Sequence, residues 1–251
     1  GGSIVADASG KVFSGGNASD AAGITRGMVL QTDTAQLANP DPGAINWYFS
    51  DDSNPNPSQY ESFVWNLGLD ASGNLYSVGQ LTPPFSTSLS SWYVRTREAV
   101  SGIWSTVDNY QPYQLAAGQS VNARGFAADD AGNIYVAGYG SEPPKKRNQL
   151  AGRHHWLVRK STDGGANWTL VDDHDLAGPM YNDGATGAGF VPGVGVFVVG
   201  YSWDSSWVVR RSASGNLGTW STVGGPFSGS AQAVGSDGQG TIYVVGSQTI
   251  T

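Results

Sequence analysis

Five times along this 251-residue chain an aromatic residue is followed three positions later by glycine, in four closely matching phrases and one looser copy. The phrases are DASGKVFSGG from Asp7, DASGNLYSVG from Asp70, DDAGNIYVAG from Asp129, PGVGVFVVG from Pro192 and DGQGTIYVVG from Asp237. Their aromatics, Phe13, Tyr76, Tyr135, Phe197 and Tyr243, stand 46 to 63 residues apart. A period of that size, with room for insertions, restricts the chain to stacked or radial repeat architectures.

Each copy reads as four strands. In the second, an alternating run from Phe63 to Leu69 leads through Asp70-Ala71-Ser72-Gly73-Asn74 into Leu75 to Gly79, and that turn supplies the residues a tight hairpin needs. Trp92-Tyr93-Val94-Arg95 and Trp104-Ser105-Thr106-Val107 follow as strands three and four. The third copy repeats them as Trp156 to Arg159 and Trp168 to Val171, and the fourth as Trp207 to Arg210 and Trp220 to Val223. The first is degenerate, with Met28 to Gln31 and, after an insertion, Trp47.

Four-stranded antiparallel units too small to bury their own faces are the blades of a β-propeller, so the fold class is all-β. A single propeller domain is expected over residues 1–251, with repeats at about 1–59, 60–119, 120–182, 183–229 and a partial one at 230–251. Trp92, Trp156 and Trp207 are expected to be equivalent and largely buried. The last copy leaves no room for strands three and four, and an unclosed ring exposes strand edges, so more blades in a longer chain are expected.

Composition closes off several functions. A net charge of −7 and a pI near 4.7 oppose nucleic-acid binding, which calls for a basic face. The absence of cysteine removes disulfides, thiolate metal sites and cysteine nucleophiles. No apolar run is long enough to span a membrane. The Gly-, Ser- and Trp-rich character suits exported bacterial proteins, which places the chain in the secreted, extracellular or cell-surface compartment. Its opening residues carry neither a basic nor an apolar leader segment.

Between strands three and four of the third copy stands Ser161-Thr162-Asp163-Gly164-Gly165-Ala166-Asn167-Trp168. It resembles the Asp-box, SxDxGxxW, of the BNR or sialidase-like propeller repeat proteins. In that motif Ser161 and Asp163 offer oxygens to turn amides, Gly165 takes a positive backbone angle, and Trp168 anchors the turn. The equivalent stretches from Arg97 to Trp104 and from Ser212 to Trp220 keep the tryptophan and lose the aspartate. The DASGNxYxxG phrase is similar to repeats of bacterial extracellular propellers. Such resemblance implies the fold and leaves the function open among sialidases, other glycosidases, lectins, assembly factors and structural modules.

Sialidase chemistry would require an arginine clamp with an Arg-Ile-Pro-like motif, and the chain has no such motif. Arg95, Arg159 and Arg210 instead recur at one strand position in successive repeats, which implies a structural role. In a propeller the two-three and four-one loops share one face, and here they are the long and variable ones, as functional loops on a rigid scaffold are. They, or the strand ends beside them, carry Tyr110 and Tyr113 near Asp108, Tyr181 near Asp172 and Asp173, and Trp203 with Asp204. Aromatic faces beside carboxylates suit sugars, and these eight residues are the candidate ligand-binding set. The same aromatics would also serve to pack loop on loop.

Asp172-Asp173-His174-Asp175 offers oxygens to Ca²⁺, without the glycine and terminal glutamate of an EF-hand loop; no other cofactor is implied. No catalytic motif is present. The chain is therefore expected to be a non-catalytic extracellular recognition or structural module, with a glycan as its leading partner. A glycoside hydrolase or polysaccharide lyase using acids and tyrosines of the long-loop face is the second expectation. Docking to a protein of an extracellular assembly is the third.

Overall fold

The repeat phrase builds a hairpin whose turn is tied by its own aspartate. The Asp70 carboxylate accepts from the Ser72 and Asn74 amides, the Asn74 side chain and the Tyr76 hydroxyl, and Gly73 sits at φ 80°. Asp129 repeats this with Ala131, Asn133 and Tyr135. The turn thereby fixes the aromatic that follows it.

The computed structural model describes residues 2–56, 59–83, 90–111, 120–141, 154–174, 183–202, 204–225 and 227–248. Five antiparallel sheets are present among them. The first holds β1 (Ser3–Ala6), β2 (Lys11–Ser19), β3 (Thr25–Asp33) and β4 (Tyr48–Asp52), and its insertion carries a short helix, α1 (Thr34–Leu37). The second holds β5 (Glu61–Leu69), β6 (Leu75–Thr82), β7 (Ser91–Arg97) and β8 (Trp104–Tyr110). The third holds β9 (Val121–Ala128), β10 (Ile134–Ser141), β11 (His154–Ser161) and β12 (Thr169–His174). The fourth holds β13 (Gly184–Val191), β14 (Gly195–Tyr201), β15 (Trp207–Ser212) and β16 (Ser221–Gly224), and the fifth β17 (Ser230–Ser236) and β18 (Ile242–Ser247). Strands pair in chain order within each sheet, and β5, β9, β13 and β17 contact one another in succession as innermost strands. The fold is a β-propeller. No helix among the described residues is long and apolar enough to cross a membrane.

The core lies between blades rather than within them. Tyr76, Val78, Trp92 and Val94 of the second blade pack on Val121, Phe126, Ile134 and Val136 of the third, and Trp156 and Val158 of the third pack with Ala185 and Val198 of the fourth. Trp92 and Trp156 are fully buried. Trp207 differs from the sequence expectation: it is half-buried, because the blade it faces has only two described strands. Its indole instead donates to the Ser247 carbonyl at 2.8 Å.

Three further joints recur from blade to blade. Arg95 pairs with Asp51, Arg159 with Asp108, and Arg210 with Asp172, each arginine on strand three reaching strand four of the preceding blade. The structural role implied by their repetition is what the geometry shows. The Tyr76 hydroxyl, besides facing Asp70, lies 3.2 Å from the Gly164 carbonyl of the next blade, and Tyr135 reaches Ser214 in the same way. The Trp104 indole donates to Ser50 and that of Trp168 to the Val107 carbonyl, both on the preceding blade.

Burial, with Asp70 beside it, pushes the Tyr76 phenol from 10.0 up to about 12, and burial likewise raises Tyr135. A phenol whose folded pKa is raised stabilises fully below its unfolded pKa, and that contribution is lost as pH rises through the folded value. Denaturant midpoints are therefore expected to fall between pH 10 and about pH 12, with a shallower fall for Tyr76→Phe. A flat profile for the parent chain across that window would refute the assignment.

Candidate functional site

The inner strands are irregular at one equivalent place. Opposite the repeat glycine, β5, β9, β13 and β17 each carry one extra residue: Trp65, Arg124, Thr186 and Gln232. A bulge leaves its extra residue out of the ladder and re-aims its side chain. All four line a single cavity of about 590 Å³ to which every sheet contributes. The first blade supplies Gly2 and Ser3, and Tyr139 and Tyr201 enter from the ends of β10 and β14.

This arrangement explains the repeat glycine. A Cβ on Gly79, Gly138, Gly200 or Gly246 would lie 1.7, 1.9, 1.9 or 2.1 Å from the carbonyl oxygen of Phe63, Asn122, Gly184 or Ser230. Trp92 and Trp156 close the space over Gly138 and Gly200 from the neighbouring blade. In the first blade, where the described β1–β2 pairing ends at Ser3 and Gly15, a Cβ on Gly16 meets nothing within 4 Å.

Around the cavity the groups are cross-linked. The Ser3 hydroxyl donates to the Asn66 side chain, whose amide donates to the Arg124 carbonyl, and the Thr186 hydroxyl reaches the Ala231 carbonyl at 2.6 Å. The Arg124 guanidinium lies 4.0 Å from the Trp65 ring centroid and donates to the Tyr139 hydroxyl at 3.1 Å. Tyr139 stacks on His154, and burial beside His155 holds the His154 imidazole below its usual range. Burial pushes the Tyr201 phenol up to about 12, with contributions from Tyr139 and from Asp183, itself 1% exposed. At neutral pH Tyr201 is therefore a hydrogen-bond donor. The lining combines aromatic faces, hydroxyl and amide groups and one cation, which suits a polar ligand with apolar faces.

Of the eight sequence candidates, the five among the described residues do not line this cavity. Asp108 and Asp172 are buried in the joints to Arg159 and Arg210, and burial pushes the Asp108 carboxyl up against the pull of Arg159. Tyr110 lies under the same arginine, 3.8 Å from its ring centroid, and meets the edge of Trp92. Asp173 accepts from His155 Nδ1 at 2.9 Å. Asp204 ties its own turn through Ser202 and Ser206, and those bonds hold its carboxyl below the usual range. Tyr113, Tyr181 and Trp203 lie outside the described residues, as does Asp175 of the proposed Ca²⁺ cluster. Among the described residues no three His, Asp or Glu side chains gather as a metal site would require.

The turn from Ser161 to Trp168 has the geometry its residues imply. Ser161 Oγ donates to Asp163 and accepts from the Gly165 amide, Asp163 accepts from Asn167, Gly165 sits at φ 97°, and the Trp168 indole reaches the Gly165 carbonyl. Loop length drew attention away from the axial groups, which sit in strands. One signal was available: Arg124 is the single charged residue of the inner strand VNARGFAA.

A family model described as a β-propeller repeat matches residues 114–143. A search of curated proteins returns no match. Among solved structures the chain is similar to an α-L-arabinofuranosidase from Fusarium graminearum in complex with an iminosugar inhibitor, at TM-score 0.63 and 13% identity over 97% of this chain and 73% of that one. It is similar to an α-L-arabinanase from Penicillium chrysogenum complexed with arabinobiose, at TM-score 0.60 and 13% identity over 98% and 74%. A Hadza microbial sialidase matches at TM-score 0.58 and 12% identity, covering 90% of this chain and 46% of that one. At such identities the likeness establishes the propeller fold. The expectation of a non-catalytic module is corrected here, because these architectural neighbours are glycan-cleaving enzymes and the second expectation, a hydrolase, accords with them better.

Proposed function

We propose that the chain is a glycoside hydrolase that takes a glycan at the axial cavity. The observation that carries this reading is the cavity itself. Four bulges and two strand-end tyrosines aim side chains into one space, within the size range of small-ligand sites. Glycosidase neighbours of the same architecture, one with arabinobiose bound, support a sugar as the occupant. The Asp-box-like turn at Ser161 to Trp168 supports placing the chain among secreted propellers that meet extracellular polysaccharides.

Hydrolysis of a glycosidic bond calls for carboxyl groups that move protons. No carboxylate lines the described part of the cavity, so Asp183, buried where its field reaches the lining Tyr201, is assigned to position that phenol and to act on the glycan through it. The test is release of reducing ends from a panel of plant and bacterial polysaccharides. Cleavage of at least one member is expected, with a loss of about a hundredfold or more in Asp183→Asn. A folded parent chain that cleaves nothing, or a folded Asp183→Asn variant with full activity, would overturn the proposal.

A further inference from the structure

The arginines that the structure buries, Arg159 and Arg210, are paired with acids, as are the half-buried Arg26 and Arg95, while the half-buried Arg211 donates to the Val194 carbonyl. Arg26, Arg95, Arg159 and Arg210 each hold an aspartate. Arg124 holds none among the described residues, although it stands at the axis of a protein whose net charge is −7. Its Nε is buried without a hydrogen-bond partner. Its plane is held against Trp65, and one amino group is anchored on Tyr139. No carboxylate occurs in the described lining of the cavity.

A partly desolvated cation with free donors is stabilised when a ligand brings the missing anion. The planar fork of a guanidinium matches a carboxylate in two-point contact, and stacking on the indole restricts the fork before the ligand arrives. Resting on the reading of the cavity as a glycan site, we infer that Arg124 forms a subsite for a uronic acid residue, pairing with its sugar carboxylate. The neighbouring Tyr201 hydroxyl and Ser3 are placed for the sugar's own hydroxyls.

Calorimetry on the intact chain tests this with trimers of galacturonate, glucuronate and mannuronate, their methyl esters, and a sulfated galactan oligosaccharide. The ester keeps the sugar and removes the charge. At least one acid trimer is expected to bind about tenfold or more tighter than its ester, with affinity falling as salt rises. Arg124→Gln should abolish that preference, bringing the acid's affinity to that of its own ester measured on the same variant. Equal binding of acid and ester across all three sugars, failure of every trimer to bind, a preference that survives in Arg124→Gln, or tighter binding of the sulfated oligosaccharide would each overturn the inference. If Arg124→Gln does not fold, the acid-to-ester ratio and its salt dependence in the parent chain decide. Binding with acid preference but no cleavage would leave the subsite standing and remove the hydrolase reading; cleavage of neutral glycans alone would do the reverse.

Discussion

Gly138→Ala is expected to destabilise the protein by more than about 3 kcal/mol, beyond the usual range for overpacking. The added Cβ falls 1.9 Å from the Asn122 carbonyl oxygen and 2.9 Å from the Trp92 ring. Neither can retreat easily, since the first is backbone held by the β9 bulge and the second is fully buried. Relief would come by flattening the bulge, which would also withdraw Arg124 from the cavity. Gly16→Ala is the control: with open space at that position it should change stability by less than about 0.5 kcal/mol. Thermal melts of the two variants check this, and similar melting points would show that the bulge does not explain the repeated glycine.

Arg210→Met is expected to cost about 3–5 kcal/mol, because it leaves Asp172 buried with no counter-charge. Arg210 is 5% exposed and Asp172 7%, and the two meet in paired contacts of 2.7 and 2.8 Å. Combining Arg210→Met with Asp172→Leu should recover most of the loss, since the pair's attraction largely offsets its own desolvation. Denaturant titration of the two single variants and the double variant closes the cycle. Additive losses would mean that the residues act independently and that the joint between the third and fourth blades is not an ion pair.

The blades were legible in the sequence because their landmarks are local. Asp70 and Asn74 close a turn by themselves, and the Trp and Arg of strand three recur at fixed offsets. The reason for the glycine was not legible, because a bulge is a relation between two strands. Nothing in YSVG says that the Phe63 carbonyl will occupy the place of a side chain. The same irregularity hid the lining of the axial cavity. Strict alternation along β9 groups Arg124 with Asn122 and Phe126, but the shift between Ala137 and Gly138 sets it apart from both. Asp108 and Asp172 looked like ligand groups because a lone sequence does not show which arginine of another repeat will meet them.

Every recurring joint in this molecule has one half on each of two neighbouring blades: arginine and aspartate, indole and glycine, phenol and turn carbonyl. A blade thus carries a left-hand and a right-hand connector of constant kind, whatever its loops contain. Units that couple only to their neighbours can be duplicated, deleted or exchanged without mismatching a seam. Grafting the third blade in tandem should therefore yield a chain that still folds, and the axial residues, which belong to no connector, are left free to diverge from blade to blade.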